Sequence, residues 1–379
     1  MIGEIKPYNS FGDADLHAMH DFAIEVLQGR LLSGYLAGRE RGGDMVRTLE
    51  DKWCETFGVK YAIACNSATS GLLAAAFVVG LRRGDTFVCP AMTMSATAAA
   101  PMFTGAIPEF RDVEDETFGL DPAPIAGDIR AVFSANLFGH PARLGHALMR
   151  HSTAPLYHIE DNSQSPFAMF ENGRFAGTHS HIGVWSLNVH KHIQCGEGGM
   201  VTTDDGKMAV RLRAFINHGE NSGGPIGLNL RMPELCAAVA LTQLNRGKEI
   251  VQDRVDQAEA ILAAIGDIPG IRLPVVREGC THVYYTIPFL LDDKTFAGPR
   301  RSMFCAALRG QGVPIVEGYV EPLYRLPAFK RFARPCPMAE DLQDRRLFYF
   351  ENCAWSPTSD QIKLIGDAFR KAAKEVFYA

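Results

Sequence analysis

A lysine and an acid thirty positions apart are the residues of this chain best suited to share one reaction. Lys191 sits in Trp185-Ser186-Leu187-Asn188-Val189-His190-Lys191-His192-Ile193-Gln194-Cys195-Gly196-Glu197-Gly198-Gly199, between an apolar strand-like run over 182–187 and a glycine cluster. Asp161 follows an earlier strand-like run over 154–159. A lysine amine that condenses with an aldehyde, and an acid that keeps a pyridine nitrogen protonated, are the two groups that pyridoxal phosphate (PLP) chemistry requires. Such a lysine needs a depressed pKa, which burial or a positive neighbour such as His190 or His192 supplies.

The rest of such a site can be sought nearby. A phosphate needs backbone N–H groups, best offered by a helix N-terminus. A short strand over 61–65 runs into Asn66-Ser67-Ala68-Thr69-Ser70-Gly71-Leu72, where a helix is predicted to begin. Ser67 and Thr69 offer hydroxyls, and Ala68 and Thr69 offer first-turn amides; an ordinary capping serine accounts for Ser67 equally well. Gln164 either reaches a ring oxygen or is a surface glutamine, and Asp161 is either an acid at the ligand edge of a sheet or a loop acid. His190 and His192 are too close along the chain to converge on one ion, so no metal is expected. Gly196-Glu197-Gly198-Gly199 lacks dinucleotide spacing and enters a strand. Phosphate-loop and Gly-x-Ser-x-Gly motifs are absent from the sequence.

The chain has 379 residues, 47% hydrophobic and 21% charged, a globular composition with room for two domains. A net charge of −5 leaves no footprint for nucleic acid or an anionic membrane. No apolar run reaches the roughly 20 residues of a membrane span, and no apolar leader opens the sequence. Nine cysteines without regular spacing point to reduced thiols and a cytoplasmic protein. Apolar periodicity predicts helices over 18–27, 44–57, 67–81, 95–103, 241–265, 301–309 and 359–377. Strands are predicted over 61–65, 86–89, 107–110, 131–135, 154–159, 182–187, 199–202 and 283–291. This alternation predicts an α/β protein: a large domain over 1–249 around a mostly parallel sheet, and a smaller C-terminal α+β domain over 250–379.

Six segments, in order, resemble the DegT-type sugar aminotransferases, a branch of the fold type I PLP-dependent transferases. Leu31-Leu32-Ser33-Gly34 with Leu49-Glu50 resembles the family's "SG…LE" segment, and residues 66–72 its "SGTxAL" turn. Leu137-Phe138-Gly139-His140-Pro141 resembles "xxGxP", and residues 159–164 resemble "xEDxAQ". Residues 186–199 resemble "SFxxxKxxxxGEGG", and residues 227–232 resemble "GxNxRM". The resemblance implies Lys191 as Schiff-base lysine and proton shuttle, Asp161 as the pyridine partner, and Gln164 beside the phenolic oxygen. It places Ser67, Ser186 and the amides of Ala68 and Thr69 on the phosphate. Asn229 would reach the phosphate in a neighbouring subunit, which implies a homodimer with shared sites. Met94 stands where the family often sets an aromatic ring over PLP; a thioether packs on a ring for about 0.3–1.5 kcal/mol. Ala68 replaces the family's usual glycine.

The implied reaction carries an amino group from glutamate or glutamine, through pyridoxamine phosphate, to a keto-sugar (nucleotide-linked, cyclitol or acidic) in amino-sugar biosynthesis. Two alternatives share the fold: a sugar dehydratase, which carries histidine at the lysine position, and a PLP-binding regulator without turnover. His218, Gly219, Tyr319 and Tyr324 lie in stretches that line the family's sugar pocket, or are core and loop residues.

Overall fold

The computed structural model describes residues 2–34, 41–125, 127–143, 156–219, 226–292 and 299–377. The chain opens with β1 (Lys6–Pro7), α1 (Asp13–Gly29) and α2 (Asp44–Phe57). It then alternates β2 (Tyr61–Cys65), α3 (Ala68–Val78), β3 (Thr86–Pro90), α4 (Ala96–Met102) and β4 (Ile107–Arg111). Next come β5 (Ile129–Ala135), β6 (Tyr157–Asp161), β7 (Ile182–Ser186), β8 (Gly199–Thr203) and α5 (Gly206–Ile216). Helices α6 (Glu234–Asn245) and α7 (Gly247–Ile265) lead to β9 (Ile271–Arg272), β10 (Ile287–Leu291), α8 (Pro299–Gly310) and β11 (Ile315–Glu317). The chain closes with α9 (Pro337–Asp341), β12 (Leu347–Phe350), β13 (Trp355–Ser356) and α10 (Ser359–Phe377).

Strands β2 to β8 form one sheet in the order β2-β8-β7-β6-β5-β3-β4. Its pairings are parallel except that β8 runs against both β2 and β7. Alternate residues of a strand face opposite sides, so both faces need cover. Ile63, Val184 and Val201 pack with Leu72 and Phe87 on one side. Ala62, Trp185 and Met200 pack with Trp53, Phe57 and Leu241 on the other. A second, antiparallel sheet has the order β11-β12-β10-β9. Its core joins Phe289 and Phe348 to Phe304 and Phe369. We propose the division near residue 250 as the boundary between the two units; Ile2 and Ile5 pack in the second core.

Four expected elements differ most. The helix expected over 18–27 runs longer, as α1 (Asp13–Gly29), and the strand expected over 154–159 lies partly outside the described residues and ends at Asp161, as β6. The helix predicted over 241–265 is two helices broken at Arg246 (φ −104°, ψ 8°). A Cβ on Gly247 would lie 2.7 Å from the Phe167 ring, so the chain turns where the helix start presses on that side chain. The strand predicted over 283–291 shortens to β10, because Tyr284 is left-handed (φ 48°) and the Val283 and Thr286 N–H groups donate to Gly139 and Phe138 carbonyls. Periodicity reports neither kind of contact.

Helix α2 begins at Gly43, which has no side chain to cap it. The buried Glu234 carboxylate, from α6, accepts instead from the N–H groups of Gly43 (2.8 Å), Met45 (2.9 Å) and Val46 (3.2 Å). A carboxylate at a helix N-terminus also meets the positive end of the dipole. Glu234→Ala is expected to lower stability by roughly 2–5 kcal/mol, since it strands buried donors; the urea midpoint, with Glu234→Gln falling in between, checks this.

Candidate active site

The carboxyl ends of the sheet's parallel strands converge on one edge. Ala135 pairs with Asp161, Asp161 with Val184, and Ser186 with Gly199, while Cys65 meets Gly199 from the other side. Open α/β sheets bind ligands at this edge. A cavity of about 400 Å³ lies there, lined in part by Ser67, Ala68, Thr69, Met94, Asp161, Gln164, Ser186 and Lys191. A second cavity, of about 420 Å³, lies between α2, β2 and α5. Its Arg213 is spent on Glu50 and its Arg41 on Glu50 and Asp51, so it gathers no comparable reactive pair.

Asp161 ends β6 and is 7% exposed. Thr97 Oγ1, fully buried, donates to its Oδ2 at 2.8 Å, and the Ser163 N–H donates to its Oδ1 at 3.1 Å. The residues on either side are anchored too. Buried Glu160 accepts from Asn136 Nδ2 (3.1 Å), Gly177 N–H (3.2 Å) and His179 N–H (3.0 Å). Asn162 Oδ1 accepts from the same Asn136 amide at 2.9 Å. Each buried polar atom so bonded avoids a desolvation loss, and the carboxylate keeps one orientation.

Lys191 follows β7 in a loop closed by the Leu187 N–H to Gly198 carbonyl bond (2.9 Å) and the Val189 N–H to Gly196 carbonyl bond (2.9 Å). Burial pulls its pKa down from 10.5 to about 8, against the opposing pull of the Asp161 carboxylate. The amine is therefore substantially neutral in mildly alkaline solution, the state a nucleophile needs. His192 is fully buried, and burial lowers it to about 4; its Nε2–H donates to the Val283 carbonyl at 2.8 Å, so it is a neutral tether. His190 lines the cavity mouth and is exposed.

At the third wall, Ser67 caps α3 by accepting from the Ser70 N–H at 3.1 Å. Ala68 and Thr69 of the first turn of α3, where N–H groups lack intrahelical partners, line the cavity. Gly199 makes this possible: a Cβ there would lie 2.5 Å from the Ser67 carbonyl carbon and 2.6 Å from the Ala68 nitrogen. An amine, a facing carboxylate, and a helix start with hydroxyls beside it are the donor set that an aldehyde, a pyridine nitrogen and a phosphate call for. The residues present fit PLP.

Residues 30–350 match the DegT/DnrJ/EryC1/StrS aminotransferase family. The chain belongs to this family. It is an enzyme, a PLP-dependent aminotransferase. The spore coat polysaccharide biosynthesis protein SpsC of Bacillus subtilis is 27% identical, over 85% of this chain and 87% of its own length. GDP-perosamine synthase of Caulobacter vibrioides is 30% identical, over 72% and 74%. The structure of an aminotransferase from Psychrobacter cryohalolentis superposes with a TM-score of 0.85 at 25% identity, covering 98% of this chain and 100% of that one.

The aminotransferase places the remaining expected residues as follows. Gln164 lines the cavity with both polar ends engaged: Oε1 accepts from the Phe138 N–H and Nε2 donates to the Tyr319 hydroxyl, each at 2.7 Å. Met94, 53% exposed, has its sulfur on the Ala96 N–H at 3.1 Å. Asn229 lies outside its own chain's cavity, on an exposed segment bridged to Asn217; next to it, the Leu230 carbonyl accepts from the Asn66 N–H at 2.8 Å. His218 and Gly219 lie on that same hairpin-like pairing. Tyr324 is a core residue, packed on Phe110 and bonded to Glu340. Sequence reading missed Thr97, Asn136 and Tyr285. Thr97 carried a faint signal, as the fourth residue after Thr93 in an apolar stretch; Tyr285 carried none, being brought by a distant loop.

Gly199→Ala is expected to weaken PLP retention at least 10-fold by pushing the α3 start outward, an overpacking cost of roughly 1–3 kcal/mol. Absorbance titration with PLP measures it, with circular dichroism unchanged.

Proposed function

We propose that this enzyme transfers an amino group from glutamate or glutamine to a keto-sugar, nucleotide-linked, cyclitol or acidic, in amino-sugar biosynthesis. The single observation that carries the reading is the buried amine of Lys191 sharing one cavity with the fixed carboxylate of Asp161. Relatives named for sugar amination support the substrate class. They include GDP-perosamine synthase and the UDP-2-acetamido-2-deoxy-3-oxo-D-glucuronate aminotransferase of Pseudomonas aeruginosa, 28% identical over 76% of this chain and 79% of its own.

Bound PLP supplies an electron sink for the pair left on the substrate carbon. In our reading Lys191 Nζ would hold the cofactor and, when free, would take the proton from the donor's α-carbon and return it during the transfer. A poised base of this kind contributes about 10²–10⁴-fold. Asp161 would hold the proton on the pyridine nitrogen, and its bonds to Thr97 and Ser163 keep its carboxylate aimed. Ser67, Ser186 and the Ala68 and Thr69 amides would hold the phosphate, Gln164 would stand beside the phenolic oxygen, and Met94 would pack on the ring. Asn229 reaches the phosphate held by a second copy, so the working form is a homodimer with shared sites, in the cytoplasm. Among the described residues no helix is long and apolar enough to cross a membrane.

The dehydratase alternative requires histidine at the covalent position. Support for the aminotransferase reading comes from placement: Lys191 is half-buried, with its amine desolvated in the cavity beside Asp161, whereas His190 is exposed.

Added glutamate is expected to bleach the yellow holoenzyme, and one keto-sugar of a panel should restore the colour; a colour that glutamate leaves unchanged overturns the reading. Lys191→Ala should abolish both phases, and Asp161→Ala should keep the fold while losing most turnover. Asn229→Ala should loosen PLP, and a fully active monomer would refute the shared site.

A further inference from the structure

The Lys191 ammonium lies 4.4 Å from the centre of the Tyr285 ring, and both residues line the cavity. Tyr285 comes from the segment before β10, far from Lys191 in sequence, and three contacts hold it there. Gly139 has φ 111°, and a Cβ on it would lie 2.6 Å from the Tyr284 nitrogen and 2.8 Å from the Tyr285 nitrogen. The Val283 N–H donates to the Gly139 carbonyl at 2.8 Å. The Val283 carbonyl accepts from His192, the residue next to Lys191, at 2.8 Å. The lysine loop and the tyrosine segment are thus tied to each other as well as to the sheet edge.

We propose that Tyr285 is a positioning residue for Lys191: its ring face holds the amine in place whenever the amine is not engaged with the cofactor, and stabilises the ammonium formed when the amine takes up a proton. This rests on the reading that Lys191 carries the cofactor. The ring face is the negative pole of its quadrupole and attracts a cation most strongly where water is excluded. The titratable groups facing Lys191 are the Asp161 carboxylate from β6, the Cys353 thiol from the loop between β12 and β13, and the phenol of Tyr285 itself. Burial pushes the thiol up to about 12, so it stays neutral. His192 stays neutral as well, and exposed His190 stands at the mouth. With the cofactor present Asp161 would be committed to the pyridine nitrogen; without it Asp161 also favours the cation, equally in every Tyr285 variant, so differences between them report the ring. The ring is then the neighbour that favours the cation without carrying a charge of its own.

The test uses cofactor-free protein and reads Lys191 directly. Acetylation of Lys191 by acetic anhydride is followed against pH by peptide mass spectrometry, in the parent protein and in Tyr285→Phe, Tyr285→Leu and Tyr285→Met. Loss of the ring face removes stabilisation of the ammonium, lowers the amine's pKa and raises its neutral fraction. Tyr285→Leu is therefore expected to label roughly 3–10-fold faster at neutral pH, with its midpoint at lower pH, while Tyr285→Phe matches the parent. Tyr285→Met repeats the comparison where the leucine variant folds poorly. Equal midpoints in all proteins overturn the proposal, and so does a Tyr285→Phe shift as large as that of Tyr285→Leu. Incubation of the parent with PLP and borohydride separates the two readings: no adduct at Lys191 sinks the functional reading, whereas an adduct with unchanged labelling midpoints sinks this inference alone.

Discussion

A buried amine and a carboxylate held across the same cavity form the interaction on which the rest of this molecule depends. Burial alone disfavours the charged lysine, and the carboxylate alone favours it. Their balance leaves Lys191 near 8, low enough to act as a nucleophile and high enough to accept a proton again. An exposed lysine would stay charged at neutral pH, and a deeply buried one without Asp161 would be a poor proton carrier. The surrounding structure serves to desolvate the amine and to fix the carboxylate.

The fixing is done by polar groups that are fully spent and by glycines that let backbones touch. Asn136 bridges Glu160 and Asn162, so the residues on both sides of Asp161 are anchored before Asp161 itself is aimed by Thr97. Gly199 brings β8 against the start of α3, and Gly139 brings the tyrosine segment against the sheet edge. A side chain at either place would separate walls that the chemistry needs together. His192 adds a tether: its neutral ring bonds the distant Val283 carbonyl through Nε2 and leaves Lys191 as the cation of the loop.

The second unit is more than a cover. Its Tyr319 hydroxyl meets Gln164, and Leu290, Leu323 and Phe329 pack into the core of the large sheet. Gln164 and Lys191 thus each touch a residue from beyond position 280, which ties two walls of the cavity to the later part of the chain.

The local pattern by itself determined that strands lead to Asp161 and to the loop of Lys191, though not the end of β6, together with the turn from β2 into α3 and helices such as α2 and α10, because apolar periodicity and capping act over a few residues. The six ordered segments named the family, since backbone turns around a shared chemistry constrain residue types position by position. Tertiary structure alone decided the break at Arg246, the departure of Tyr324 into the core, the Glu234 cap on α2, and the placing of Thr97 and Tyr285 beside the reactive pair. Each of these depends on atoms brought together from distant parts of the chain, and spacing along one segment holds no record of what another segment will press against it.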